Sequence, residues 1–179
     1  RRRAWQRERL TGFLPQVRWL DDFPLPQSTL RAPRFTICFS NELFDAMPVR
    51  RFGWNAARRE WFEWGVAVEG DRFIWTQLRG EVPSAISHLP SLPGLLDVLP
   101  DGYTLETSLA AEQWWSKAAR GLPRGKLVAF DYGVGAEEII SPGRLKGTLR
   151  AYRQHKQVPD VLADPGDQDI TAHVNFAAL

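Results

Sequence analysis

The sequence predicts an α/β fold, and three observations carry the prediction. Residues 34–39 (Arg-Phe-Thr-Ile-Cys-Phe) and 126–130 (Lys-Leu-Val-Ala-Phe) are short, continuous apolar runs, the pattern of strands buried on both faces of a parallel sheet. Residues 107–121 between them carry a helical pattern, as a right-handed crossover between parallel strands requires. Residues 49–78 read as an antiparallel β-meander set between the first strand and that helix. The order helix, strand, helix, strand with an antiparallel insertion is that of an α/β domain.

Composition bounds the rest. The chain has 179 residues, 44% hydrophobic and 25% charged, which suits one globular domain or a large piece of one and excludes a disordered or fibrous protein. No apolar run approaches the roughly 18 residues that span a bilayer, which excludes an integral membrane protein built on helices. Cys38 is the only cysteine, which excludes a disulfide framework and a multi-cysteine zinc site and points to a reducing compartment. The net charge is only +2, yet five arginines fall within the first nine residues. They read as the solvated face of a helix with Trp5, Leu10 and Phe13 as its apolar stripe, and otherwise as a basic arm for nucleic acid. Glu8 and the lack of serine there argue against a mitochondrial presequence. A first residue that is Arg rather than Met predicts a fragment or a processed chain.

In chain order, residues 1–13 are expected to form a helix and residues 17–20 a short strand before Asp21 and Asp22. The strand at 34–39 ends abruptly on Ser40, Asn41 and Glu42. The meander is predicted over 49–54, 60–68 and 72–78, with Glu69-Gly70-Asp71 as a turn. Residues 81–101, rich in Pro and Gly, read as a loop with at most one short helix. The helix at 107–121 has Thr107 or Ser108 as cap, Glu112 in an early turn, and Gly121 with Pro123 as its stop. The strand at 126–130 runs into Asp131, Tyr132 and Gly133. Residues 148–158 look like a further strand, and residues 164–176 like a turn followed by a helix start or short strand.

Several familiar chemistries are missing. Gly133-Val-Gly135 fails as a dinucleotide loop because Glu138 takes the third glycine position. No phosphate-binding loop or serine-hydrolase elbow occurs. His88, His155 and His173 lack metal-ligand spacing, so no metal is expected, and Cys38 reads as a small hydrophobe in a buried strand. The segment 41–48 is different. In open parallel sheets ligands bind beyond the carboxyl ends of strands, and there Glu42 and Asp45 stand three residues apart, on one side of a helical turn. Two acids at such an edge suit a cationic substrate or a proton abstraction. Equally, they could complement the dipole of a helix that begins there.

Four blocks in order carry a resemblance. Asn41-Glu-Leu-Phe-Asp-Ala-Met-Pro48, Asp131-Tyr-Gly133, Gly147-Thr-Leu-Arg-Ala-Tyr-Arg-Gln-His155 and Asp164-Pro-Gly-Asp-Gln-Asp-Ile-Thr-Ala-His-Val-Asn-Phe176 together resemble the MidA family of S-adenosylmethionine-dependent methyltransferases. The likeness runs from about residue 3 onward and is weakest in the Trp-rich meander. It implies the Rossmann-like sheet of class I methyltransferases with the meander at 49–78 inserted in it. Family members carry a glycine-rich loop and a ribose-binding acid ahead of the helix that residues 1–13 resemble. Residues 1–179 are therefore expected to be the C-terminal part of that domain, with little activity or cofactor affinity alone.

The resemblance also implies roles. Glu42 would be catalytic, orienting the acceptor or taking its proton, with Asp45 as its partner and a substrate contact. Asn41, Asp131 and Tyr132 would bind the cofactor S-adenosyl-L-methionine, and His155 and His173 the substrate. Each histidine could instead be structural. The family includes a mitochondrial arginine methyltransferase, so the implied partner is a protein presenting an arginine side chain. The implied location is the cytoplasm of a bacterium or the mitochondrial matrix of a eukaryote. The aromatic meander suggests a homodimer contact, and two carboxylates at the site disfavour nucleic acid. The alternative is a catalytically inactive, methyltransferase-like assembly module.

Overall fold

The structure, a computed structural model, describes residues 2–19, 35–78, 94–122 and 124–179. Part of the loop expected at 81–101, His88 with it, lies outside the described residues. The chain opens with helix α1 (Arg2–Arg9), whose last turn carries Arg7 and Arg9 in complement to its dipole. Thr11 Oγ1 donates to the Glu8 carbonyl at 2.6 Å, and a single 3-10 stretch follows to Gln16. Residues 17–19 form no strand, a correction to the expected strand at 17–20. Val17 and Trp19 flank the charged Arg18, and among the described residues no strand lies beside them to pair with. The stripe of Trp5 and Phe13 is exposed, so α1 buries no face among the described residues.

Strand β1 (Thr36–Asn41) leads into an antiparallel run of β2 (Arg50–Asn55), β3 (Glu60–Glu69) and β4 (Arg72–Leu78). The turn between the last two uses Gly70 at φ +63, as the sequence signal required. A short helix, α2 (Leu95–Val98), precedes β5 (Thr104–Thr107), which pairs with β2 and completes a four-stranded sheet in the order β4-β3-β2-β5. Strand β5 was not foreseen, because Thr-Leu-Glu-Thr is too short for a periodicity signal and adjoins a helix. Helix α3 (Leu109–Gly121) begins one residue after Ser108, whose Oγ accepts from the Ala111 N–H and donates to the Pro48 carbonyl. Thr107 is therefore a strand residue and Ser108 the cap.

Strand β6 (Gly125–Phe130) returns parallel to β1, with Thr36 opposite Gly125 and Asn41 opposite Phe130. Glycine is required at 125, since a Cβ there would lie 2.1 Å from the Thr36 carbonyl oxygen. The expectation that both faces of this pair are buried is corrected. Ile37, Phe39 and Phe130 are 65%, 60% and 59% exposed, because helix and turn cover one face and no described residue covers the other. The Phe39 and Phe130 rings pack on each other at 5.5 Å across that open face.

The C-terminal part consists of short pairs: β7 (Gly133–Val134), β8 (Arg150–Arg153), β9 (Lys156–Val158), β10 (Asp169–Thr171) and β11 (Val174–Asn175). The expected strand at 148–158 is in fact the β8–β9 hairpin, closed by Gln154 and His155 at φ +51 and +62. Two positive φ values are the signature of a type I′ turn, which glycine or asparagine usually fills, so the sequence concealed it. β10 pairs with β8, and β11 runs parallel to β7. Two apolar clusters hold these pieces. One joins Phe44, Ala111 and Val174 with Trp114, Trp115 and Ala129, and the other joins Trp54, Leu99 and Tyr103 with Trp61 and Ile140. Trp54 is fully buried, whereas Trp61, Trp64 and Trp75 are half-buried and Val66, Val68 and Phe73 stand exposed on β3 and β4.

Candidate functional site

Parallel pairing brings the carboxyl ends of β1 and β6 to one edge, and the site is built there. The Glu42 N–H extends the ladder by donating to the Phe130 carbonyl at 2.8 Å. The chain then enters a tight turn, with the Met47 N–H on the Phe44 carbonyl at 3.1 Å, and no helix follows. The alternative in which Glu42 and Asp45 decorate a helix N-terminus is thereby removed.

Glu42 adopts a left-handed backbone, φ +48. That costs a non-glycine residue about 1–2 kcal/mol and persists only where neighbours fix it. Two neighbours do so. The Asp131 carboxylate accepts from the Leu43 and Phe44 N–H groups at 3.1 and 2.8 Å and from the Tyr132 N–H at 2.9 Å. The Phe44 ring, 2% exposed, anchors the turn from below, edge-on to Trp114 and Trp115. Asp131 thus has its carboxylate engaged by three backbone groups.

The C-terminal strands are stitched to the same edge. The Ala172 N–H donates to the Asp45 carbonyl at 2.9 Å, Val174 to Tyr132 at 2.8 Å, and Phe176 to Val134 at 3.0 Å. The result is an open cleft of about 620 Å³ in which Glu42, Asp45, Tyr132, His155 and His173 meet. Asn41 and Asp131 stand at the strand ends, outside its lining. Sequence reasoning missed Arg150, Tyr152, Gln154, Asp167 and Asp169. They lie inside the resembling blocks at 147–155 and 164–176, but no spacing within such short strands says which side chains face one another.

The cleft is electrostatically unlike the chain as a whole. Four acids, Glu42, Asp45, Asp167 and Asp169, line it against Arg150 alone, although the chain carries net +2. None of the four forms an ion pair among the described residues. Asp45 is 7% exposed, and its Oδ1 has no hydrogen-bond partner among the described residues. Burial raises its pKa above the ordinary carboxylate value, and the Asp131, Glu42 and Asp169 charges add to that, against a lowering by the Ala46 N–H. Burial lowers the pKa of His173, helped by Arg144 and Arg150 and opposed by Glu106. Its ring is therefore neutral at pH 7, with Nδ1 unpartnered.

A buried network supports the His173 side of the cleft. Glu106 Oε2 accepts from the Thr148 N–H and hydroxyl at 2.7 and 3.0 Å, and Oε1 lies 3.2 Å from Arg51 Nε. The same Thr148 oxygen accepts the His173 N–H at 3.1 Å. Gly147, at φ +76, permits the approach, since a Cβ there would meet Glu106 Oε1 at 2.2 Å. Arg51 on β2 is thus linked through Glu106 and Thr148 to the cleft wall.

The arrangement has relatives. A family model described as "Putative S-adenosyl-L-methionine-dependent methyltransferase" matches residues 1–179. The chain is 29% identical over 150 residues to the Drosophila melanogaster protein arginine methyltransferase NDUFAF7 homolog, mitochondrial, covering 79% of this chain and 31% of that protein. It is 28% identical over 149 residues to the Danio rerio protein arginine methyltransferase NDUFAF7, mitochondrial, covering 81% and 32%. Among solved structures it resembles a COG1565-superfamily protein of Burkholderia thailandensis bound to S-adenosyl-homocysteine, with TM-score 0.81, 33% identity, and coverage of 98% of this chain and 43% of that one. A native crystal structure of a COG1565-superfamily protein from the same organism matches at TM-score 0.79 and 33% identity, with coverage of 98% and 45%. The chain spans about a third of the length of the curated relatives it matches and under half of the solved ones. It belongs to the MidA, or COG1565, family of S-adenosylmethionine-dependent methyltransferases.

Proposed function

We propose that this chain supplies the acceptor-binding part of an S-adenosylmethionine-dependent protein arginine N-methyltransferase. The observation that carries the reading is the unneutralised acidic cleft at the carboxyl edge of β1 and β6, with buried Asp45 lacking a partner for Oδ1. The arginine-methyltransferase names of the two curated relatives and the bound S-adenosyl-homocysteine of the solved neighbour support it.

The residues present fit such a cofactor in kind. Asn41 and Tyr132 are exposed polar groups at the ends of two parallel strands, and the acids beside them suit a sulfonium charge. S-adenosylmethionine supplies an electrophilic methyl group on that sulfonium. Asn41 and Tyr132 would hold it, while Asp131 fixes the turn between them. The chain's own part is to bind and prepare the acceptor. Glu42 and Asp45 draw the guanidinium's positive charge toward two of its nitrogens, which leaves the third with more lone-pair character. That nitrogen would face the methyl group, which a bound cofactor would give up with its sulfur as leaving group. The departing proton goes to the Glu42 carboxylate and then to solvent. Alignment and exclusion of water supply most of the acceleration.

In this reading residues 1–179 are the C-terminal portion of a Rossmann-like domain with residues 49–78 as an antiparallel excursion, and the glycine-rich loop and ribose acid come from outside them. The protein would act in bacterial cytoplasm or in the mitochondrial matrix, the latter suggested by the relatives' names. Among the described residues no helix is long and apolar enough to cross a membrane. Calorimetry with S-adenosyl-homocysteine tests the domain assignment. Residues 1–179 should bind at least tenfold more weakly than a chain extended N-terminally by the loop and the acid, since a charged ribose hydrogen bond alone is worth about 1.5–3 kcal/mol. Equal affinity contradicts it.

A further inference from the structure

The cleft has a second acidic wall that the methyl-transfer chemistry above does not use. Asp169 opens β10, opposite Tyr152 of β8, and faces the same cavity as Glu42 and Asp45 from the other side of the chain's return. It is exposed and forms no ion pair among the described residues, whereas Asp164, five residues earlier, is held by Arg153 at 2.8 Å. The cavity also contains a group that lacks a partner: Asp45 Oδ1, on a side chain more than nine-tenths buried. Arg150 is the one Lys or Arg in the lining and is ion-paired with none of these carboxylates among the described residues, so acids on two walls leave room for a further cation supplied from outside.

We propose that Asp169 is a specificity-determining residue, pairing from the β10 wall with a guanidinium held against Glu42 and Asp45, so that the cleft selects a positively charged acceptor. This rests on the acceptor reading above. A planar guanidinium presents donors along more than one edge and can engage carboxylates on both sides at once. Its uncharged isostere, a citrulline ureido group, has the same outline but nothing to neutralise four acids. Selection by charge is therefore separable from selection by shape.

The test is calorimetric titration of the protein with N-acetyl-arginine amide and with N-acetyl-citrulline amide, for the wild type and Asp169→Asn. The wild type should prefer arginine at least tenfold, and Asp169→Asn should lose most of that preference by weakening arginine alone. Thermal unfolding of the variant should match the wild type, since Asp169 is exposed. In methyl transfer, Asp169→Asn should raise KM for an arginine peptide more than it lowers kcat. Arginine preference unchanged by Asp169→Asn overturns the inference even if the wild type methylates arginine. A wild type that binds neither probe and methylates no arginine peptide overturns the acceptor reading itself.

Discussion

The antiparallel sheet and the cleft treat their carboxylates in opposite ways. On the sheet, Glu63 is bound by Arg50 through two guanidinium nitrogens, Glu106 by Arg51 and Thr148, and Glu60 by Arg58. Glu63 is held below its ordinary pKa by the Arg50 hydrogen bond. In the cleft, Glu42, Asp45 and Asp169 have no such ion pair among the described residues, and Asp45 is pushed the other way. Paired acids contribute to the fold; in the reading proposed above, the unpaired acids of the cleft serve binding instead. The backbone divides less sharply: of the non-glycine residues at positive φ, Glu42, Gln154 and His155 lie on the cleft, whereas Arg59 lies in the β2–β3 turn and Asp164 outside the cleft lining.

Removing acids from each side sharpens the contrast. Glu106→Ala should have the largest effect, a loss of about 3 kcal/mol, because it strands a mostly buried guanidinium and an amide N–H. Denaturant unfolding measures it, and a loss under about 1 kcal/mol would place Glu106 with ordinary surface acids. Glu42→Gln should leave unfolding unchanged and lower single-turnover methyl transfer by about 10²-fold or more, the size of a positioned general base. Unchanged turnover would remove the carboxylate mechanism, and no turnover in the wild type would favour the assembly-module alternative. Glu63→Gln should be the mildest, under about 1 kcal/mol in stability with no effect on turnover, since its partner Arg50 is partly solvated. A turnover defect there would erase the distinction between the two regions.

How much of this was legible in the sequence follows from the range of each interaction. The parallel pair and α3 were readable because apolar runs and the Ser108 cap are local signals. Glu42 and Asp45 were readable because four residues of chain hold them on one turn. The opposite wall was not. Asp169 reaches the cleft only through the β10–β8 pairing, and the support for His173 only through Glu106, 42 residues from Thr148. The hairpin at 154–155 was hidden because Gln and His are not turn residues by propensity. The open face of β1 was hidden because an apolar run records what a strand could bury, not what lies beside it.

The central claim is that the cleft keeps a charge the fold would rather lose, and Asp45 tests it most directly. Its folded pKa is raised above its unfolded value, so the native state holds the proton more tightly. Stability from this group is present below the unfolded pKa, near the ordinary 3.8, and is lost as pH rises through the raised folded value. Wherever the folded state carries it ionised, the group is therefore a burden. Asparagine keeps the shape and an acceptor for the Ala46 N–H while removing the charge. Thermal unfolding and single-turnover methyl transfer of Asp45→Asn, side by side at pH 7, should show an unfolding temperature equal to or above that of the wild type together with reduced turnover, by less than in Glu42→Gln. A destabilised variant with normal turnover would contradict the account.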